Sequence, residues 1–332
     1  MEHTETASLQ GGRGAIQFIP LAVADAIRPE ETSGQTAGGF FLQLISDSGV
    51  ELRDKDVLVV SSKVASFFER GCLVPLAEVI PSRKARLLGR LFGKDPRKVQ
   101  LVLEQGTIFL VIPMRRIIRI PSIWRMMERR SPNPDAMRRG YEEFNNYTFV
   151  VRKHAAYLDE AGIDHTNSPD AFVSLLPRDP SETARRIRSK LEERHDIEIA
   201  VIVTDTVTCI GRLGSQDVAI GYSGIDPMMR EAFSDDLFGT PRSGGVDIVI
   251  DSIAGMAGLL MGQTIERRPA VLVRGLAYAP EPSDEPPGMA SVEIPTGSMW
   301  RIAVHTILAT LRLRLGSLLA FQRDPRRSRI DR

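Results

Sequence analysis

The chain is punctuated by short apolar runs, most of which end in polar residues. Ile16 to Leu21 reads as a short strand, and Asp56 to Val60 as a buried strand ending at Ser61, Ser62 and Lys63. Ile197 to Val203 is a continuous β-branched run, the mark of a strand covered on both faces, and it ends at Thr204-Asp205-Thr206. Thr107 to Ile112, Asp217 to Gly221 and Val271 to Val273 read as three more strands. Helical spacing appears over Arg83 to Phe92 and over the Ala-, Gly- and Met-rich stretch Val246 to Met261. Asp179-Pro180-Ser181-Glu182 is a helix start: Asp179 caps, Pro180 suits the first helical position, and Glu182 completes a capping box, with Arg186, Ile187 and Leu191 continuing the helix. Strands and helices mix without strict βαβ alternation and without an internal repeat, which predicts an α+β or complex mixed α/β fold.

Two stretches break this pattern. Between Pro113 and Asn146 stand eight arginines (Arg115, Arg116, Arg119, Arg125, Arg129, Arg130, Arg138 and Arg139), with Trp124 among them. So many cations resist burial, so residues 113–146 are expected to form a peripheral insertion or flap. Ile302 to Phe321 is the most membrane-like stretch, but His305, Arg312 and Arg314 would be costly in hydrocarbon. Ile302, Leu308, Leu311 and Leu315 suit an amphipathic helix instead. The expected organisation is a leader over residues 1–14, a main domain over 15–290 and a helical extension over 291–332.

Composition narrows the function classes. The chain has 332 residues, 42% of them apolar, enough for a sizeable core. Lys and Arg total 43 against 42 Asp and Glu, so no global field points to nucleic acid or to an acidic membrane. Cys72 and Cys209 are too few for a disulfide framework or a zinc ribbon. The first residues carry acids where a signal peptide needs positive charge, and a cytoplasmic protein is expected.

The candidate chemistry lies at strand ends, where a sheet holds functional groups rigidly. Ser62 and Lys63 follow one strand, Asp205 and Thr206 another, and Asp164 sits where Ala161-Gly162-Ile163 steps into a polar loop. Asp164, Asp205, the Thr206 hydroxyl and the Gln263 amide are oxygen donors, suited to Mg²⁺ or Mn²⁺ and hence to phosphate chemistry. Spacing alone favours the plainer alternative, a turn or helix cap built on Asp205. No Walker loop is present, and no Ser-His-Asp or Cys-His pair stands out; His154 and His165 flank the Asp164 loop.

Four motifs in order resemble the coenzyme F420-0:gamma-glutamyl ligase family. Ala161-Gly162-Ile163-Asp164 with Asn167, followed by Leu175 to Pro180, is similar to its first block, with Glu160 where the family has Asn. Thr204-Asp205-Thr206 with Asp217 to Gly221, then Asp236 to Gly239, then Leu260 to Gln263 with Pro269 to Leu276, resemble the others. The resemblance implies a fold of mixed sheets flanked by helices and a ligase that activates a carboxylate of F420-0 with GTP and joins L-glutamate to it. It implies two divalent ions, one on Asp164 and Asp205, the other on Thr206 and Gln263. It further implies a GTP site lined by Ile19-Pro20-Leu21, Ser62, Lys63, Asn167 and the segment Met261-Gly262-Gln263 onward to Arg268, catalytic roles for Lys63 and Arg212, and a homodimer. Phe67 and Cys209 stand where the family pattern places cations, Phe67 in place of a lysine, which puts the acceptor acid in question. A related ligase with another acceptor, or a non-catalytic nucleotide- or nucleic-acid-binding relative, are the alternatives.

Overall fold

Three strands of one five-stranded sheet end at the same edge, and that edge organises the molecule. A computed structural model describes residues 15–28, 32, 34–144, 147–166, 168, 172–209, 212, 214–229, 234–241 and 246–321. β1 (Gln17–Leu21), β2 (Val57–Ser61), β8 (Ala200–Thr208), β9 (Ser215–Ser223) and β10 (Ala270–Arg274) form this sheet in the order β1-β10-β2-β8-β9. β2 and β8 run parallel, and β1 runs the same way because β10 is antiparallel to both β1 and β2. Pro20 lies in β1, at the edge of the sheet, where its missing N–H breaks no ladder.

Alternation in the central strands divides the core into two layers. Leu58, Val60, Val201 and Val203 face α1 (Ala37–Ser48) and α8 (Pro180–His195). Val57, Val59, Ala200 and Ile202 face α9 (Val249–Met261). α8 begins as its sequence predicts: the Asp179 side chain accepts from the Glu182 amide at 2.9 Å. Gly221 lets this helix lie against β9, since a Cβ there would come within 2.3 Å of the Pro180 backbone carbon. The mixture of helices with three sheets is an α+β fold.

Several boundaries differ from those the sequence suggests. β8 does not end at Thr204-Asp205-Thr206 but continues to Thr208, because β9 pairs with it along its length and supplies the backbone bonds that a polar strand end lacks on its own. Its pairing slips between Val203 and Thr204, where Ile220 bulges out of β9. Asp205 is therefore a strand residue and not a turn or helix cap. α3 (Arg83–Phe92) is among the helices expected from the sequence, whereas α1 and α4 (Pro96–Gln105) are not.

The smaller sheets carry the rest of the main unit. β3 (Leu73–Pro75) pairs with β7 (Phe172–Ser174), and β4 (Ile108–Ile112), β5 (Thr148–Lys153) and β6 (Ala156–Asp159) form an antiparallel meander. The Arg-rich stretch is a helical excursion between the paired strands β4 and β5. It holds α5 (Met114–Ile118), α6 (Pro121–Glu128) and α7 (Pro134–Phe144), and none of its described residues belongs to a sheet. Residues 1–292 and 293–332 are two units; the second holds α10 (Thr296–Phe321). Among the described residues no helix is long and apolar enough to cross a membrane.

Candidate active site

The shared edge gathers residues distant in sequence. Ser62 and Lys63 open α2 (Ser62–Phe67) directly after β2, beside Asp205 and Thr206 of the parallel neighbour β8. The segment leading into β10 lies at the same edge, with the Ser61 amide donating to the Pro269 carbonyl at 2.9 Å. Asp205 and Thr206 are consecutive strand residues and so project to opposite faces of the sheet.

On the α8 face, the Ser62 hydroxyl donates to Asp205 Oδ1 at 2.9 Å. Desolvation pushes the Asp205 carboxyl up to about 6; the bonds from Ser62 and the Thr206 amide oppose that rise, and the nearby Asp217 charge adds to it. The Lys63 ammonium pairs with Asp164 and donates to the Thr166 carbonyl at 2.8 Å. Burial works against the Asp164 carboxylate, yet Lys63 together with bonds from Thr166 holds it below the ordinary carboxylate range.

A tight turn brings Asp164 here. Glu160, Ala161 and Gly162 all have left-handed backbones, with φ of 50°, 61° and 73°. Gly162 is required twice over: its φ is positive, and a Cβ would lie 2.5 Å from a Leu176 methyl. Glu160, in the place where the family pattern has Asn, is held by the Phe149 amide and by Lys94, both at 2.9 Å. Asp164 then pairs through its backbone with Ser174 at the end of β7.

On the α9 face, the Thr206 hydroxyl lies 2.6 Å from Asp217 Oδ1 and 3.1 Å from Gln263 Oε1. The Gln263 amide donates to the same carboxylate at 3.2 Å. α9 ends at Gly262, whose φ of 73° turns the chain so that exposed Gln263 reaches back over the sheet edge. Met261 is buried in the core behind it.

Hydrogen bonds thus join Asp205 to Ser62, Asp164 to Lys63, and both Thr206 and Gln263 to Asp217, with the adjacent residues Asp205 and Thr206 linking the two faces. Ile19 and Pro20 belong to β1, and buried Leu21 ends that strand at the same edge. Exposed Arg212 sits in the β8–β9 turn, and its guanidinium forms no ion pair among the described residues. Asn167 lies outside the described residues. Two participants escaped the sequence reading of the site. Asp217 could have been found from its place in the hairpin, opposite Thr206, and Thr166 from its position two residues after Asp164.

The donors suit a hard divalent cation. Among the described residues no three Asp, Glu, His or Cys side chains converge as a metal cage, so a cation here would depend on the hydroxyl and the carboxamide as much as on carboxylates. The desolvated Asp205 is a carboxyl whose ionised form lacks a sufficient counter-charge, as expected of a cation ligand without its cation.

Comparison with known proteins bears on this geometry. The sequence model of the F420-0:Gamma-glutamyl ligase family matches residues 29–275. The coenzyme F420:L-glutamate ligase of Methanopyrus kandleri is 30% identical over 266 residues, 80% of this chain and 89% of that protein. The protein of the same name from Archaeoglobus fulgidus is 33% identical over 249 residues, 75% of this chain and 86% of its own length. That from Methanothermobacter thermautotrophicus is 29% identical over 254 residues, covering 76% and 87%.

Proposed function

The chain belongs to the F420-0:gamma-glutamyl ligase family and is an amino-acid ligase, and from that premise we propose that it joins L-glutamate to F420-0, or to a closely related acid, at the expense of GTP and with the help of divalent cations. The observation that carries this reading is the meeting, at one sheet edge, of Ser62–Asp205, Lys63–Asp164 and Thr206–Asp217–Gln263. Oxygen donors flanked by one lysine suit the handling of a polyphosphate beside a carboxylate substrate.

The reaction has two steps. An oxygen of the acceptor carboxylate attacks the γ-phosphorus of GTP, giving an acyl phosphate and GDP. The glutamate amine, having lost a proton, then attacks the acyl carbon; the amide bond forms and inorganic phosphate leaves. Mg²⁺ or Mn²⁺ held by Asp164, Asp205, Thr206 and Gln263 would supply charge neutralisation to the phosphate oxygens. Lys63 is the mobile cation of the site: its ammonium rests on Asp164 and is within reach of an anionic phosphate once that carboxylate has another partner. Ser62 orients Asp205. The exposed segment from Gln263 to Arg268 would line the nucleotide.

Phe67 and Cys209 favour variation in the acceptor. Phe67 closes α2, and Cys209 follows β8, both near the site elements and neither able to bind an anion by charge. The test is mass spectrometry of the full chain incubated with GTP, Mn²⁺, L-glutamate and a panel of deazaflavin acids. A product heavier by one glutamyl residue, formed only with GTP and metal, is expected. GTP turnover without any glutamyl product on any acid would refute the ligase reading, and product on another acid but not on F420-0 would move the acceptor.

A further inference from the structure

Asp217 stands behind the candidate cation donors and does not face solvent. Its carboxylate is buried, 8% exposed, and Oδ2 lies against Gly258 of α9, where a Cβ would come within 2.0 Å. Oδ1 takes the Thr206 hydroxyl at 2.6 Å and the Gln263 amide at 3.2 Å. Thr206 has one proton to give. The shorter, charge-assisted bond to Asp217 claims it, and the Gln263 carbonyl at 3.1 Å receives none. Gln263 has no second orientation, because reversing its amide would set a carbonyl oxygen against a carboxylate.

The result is two neutral oxygens, 3.1 Å apart, with no proton between them. Such a pair repels unless a donor or cation bridges it. Adjacent ligands on an octahedral ion with bonds of about 2.1 Å lie about 3 Å apart, so this spacing matches one edge of such a shell. A hydroxyl and a carboxamide bring no net charge, and the carboxylate behind them supplies it.

We infer that Asp217 is a positioning residue that turns Thr206 and Gln263 into one cation subsite from outside the coordination shell. The inference rests on the metal-dependent reading proposed above. It assigns the two halves of the site different dependence on Asp217: its hydrogen bonds hold the Thr206–Gln263 subsite, whereas the Asp164–Asp205 subsite meets only its charge at a distance.

The test is a Mn²⁺ titration of the full chain, with and without GTP, following free Mn²⁺ by electron paramagnetic resonance. The wild-type protein is expected to take up two ions. Asp217→Asn presents an amide that draws the Gln263 carbonyl toward itself, and it should weaken one site by about 10- to 100-fold while leaving the other within about threefold. Asp217→Ala, which frees Thr206 to donate to Gln263, should give the same single-site loss and guards against a folding defect particular to Asn. Thr206→Val combined with Asp217→Asn should cost less than the sum of the two single changes, since the carboxylate acts in part through that hydroxyl. Two sites of unchanged affinity in both Asp217 variants would overturn the inference alone. Equal weakening of both sites with a lowered melting temperature would assign Asp217 a purely structural role and also overturn it. No Mn²⁺ uptake by the wild-type protein, with or without GTP, would overturn the metal-dependent reading with it.

Discussion

On the α8 face of the sheet edge, two carboxylates are answered by a lysine and a serine; on the α9 face, two neutral oxygens are answered by a carboxylate. The faces meet at one peptide, Asp205-Thr206, and differ in what must change before a cation binds. Asp164 is already ion-paired and the Asp205 carboxyl is raised to about 6, so the charged half is held closed by Lys63 and, below about pH 6, also by a proton. The neutral half is set by Asp217 and needs no rearrangement. A strand that continues through its polar residues makes this division possible, because only strand alternation sends adjacent side chains to opposite faces.

The strongest way to break the comparison is to remove the charged half. Asp205→Ala should weaken metal-dependent GTP binding by at least a thousandfold, about 4 kcal/mol, while circular dichroism stays unchanged. Calorimetric titration with Mn²⁺ and GTP measures it. Binding within tenfold of wild type would show that the neutral half suffices, and the two halves would not be partners.

A second test uses pH. The ordinary value for this carboxyl is 3.8 and the folded value is about 6, so the native state holds the proton more tightly than the unfolded chain does. For this group the stability contribution therefore falls as pH rises from about 4 to about 6 and is level above that. With two pH units at about 1.4 kcal/mol each, the penalty approaches 3 kcal/mol. Urea denaturation of the metal-free protein should show wild type losing ground to Asp205→Asn across that window. A difference independent of pH would mean that Asp205 is not desolvated.

Third in size is Gly258→Ala. The new methyl would meet Asp217 Oδ2, a contact that costs about 2 kcal/mol of stability as the carboxylate is displaced. The comparison sharpens if the Mn²⁺ sites respond unequally: the Thr206–Gln263 site should weaken and the Asp164–Asp205 site should not. Unchanged stability would show that Asp217 has room to retreat.

Much of this frame could be read in the sequence for a simple reason: buried β-branched runs and capped helices carry local signals. The Val57–Ser61 and Ala200–Thr208 strands and the Pro180 helix start are cases in point. What could not be read was created by pairing. Asp205 has the local look of a turn residue, and only β9 makes it a strand residue. Asp217 reads as the polar start of a strand; its role depends on a glycine forty-one positions later and on a bulge that shifts the ladder. The left-handed turn at Glu160 and Ala161 was equally hidden, since neither residue type favours positive φ.

The smallest expected effect tests whether the Arg-rich helices belong to the site at all. They lie in sequence between two paired strands of the meander. Some of these cations are already engaged within the excursion. Arg138 lies over the Trp124 ring at 5.6 Å and pairs with Glu128 at 3.3 Å, and Arg130 donates to the Met126 carbonyl at 3.1 Å. Exposed contacts of this kind are individually weak. Arg138→Ala should cost about 0.5–1 kcal/mol in thermal denaturation and leave GTP and acceptor binding within about twofold. The sheet edge owes its polar side chains to elements fixed by the core, whereas α6 and α7 hold each other by surface contacts, so a change in one region should not reach the other. A tenfold loss of acceptor affinity in Arg138→Ala would join the two regions and make the excursion the source of the positive charge that Phe67 and Cys209 do not provide.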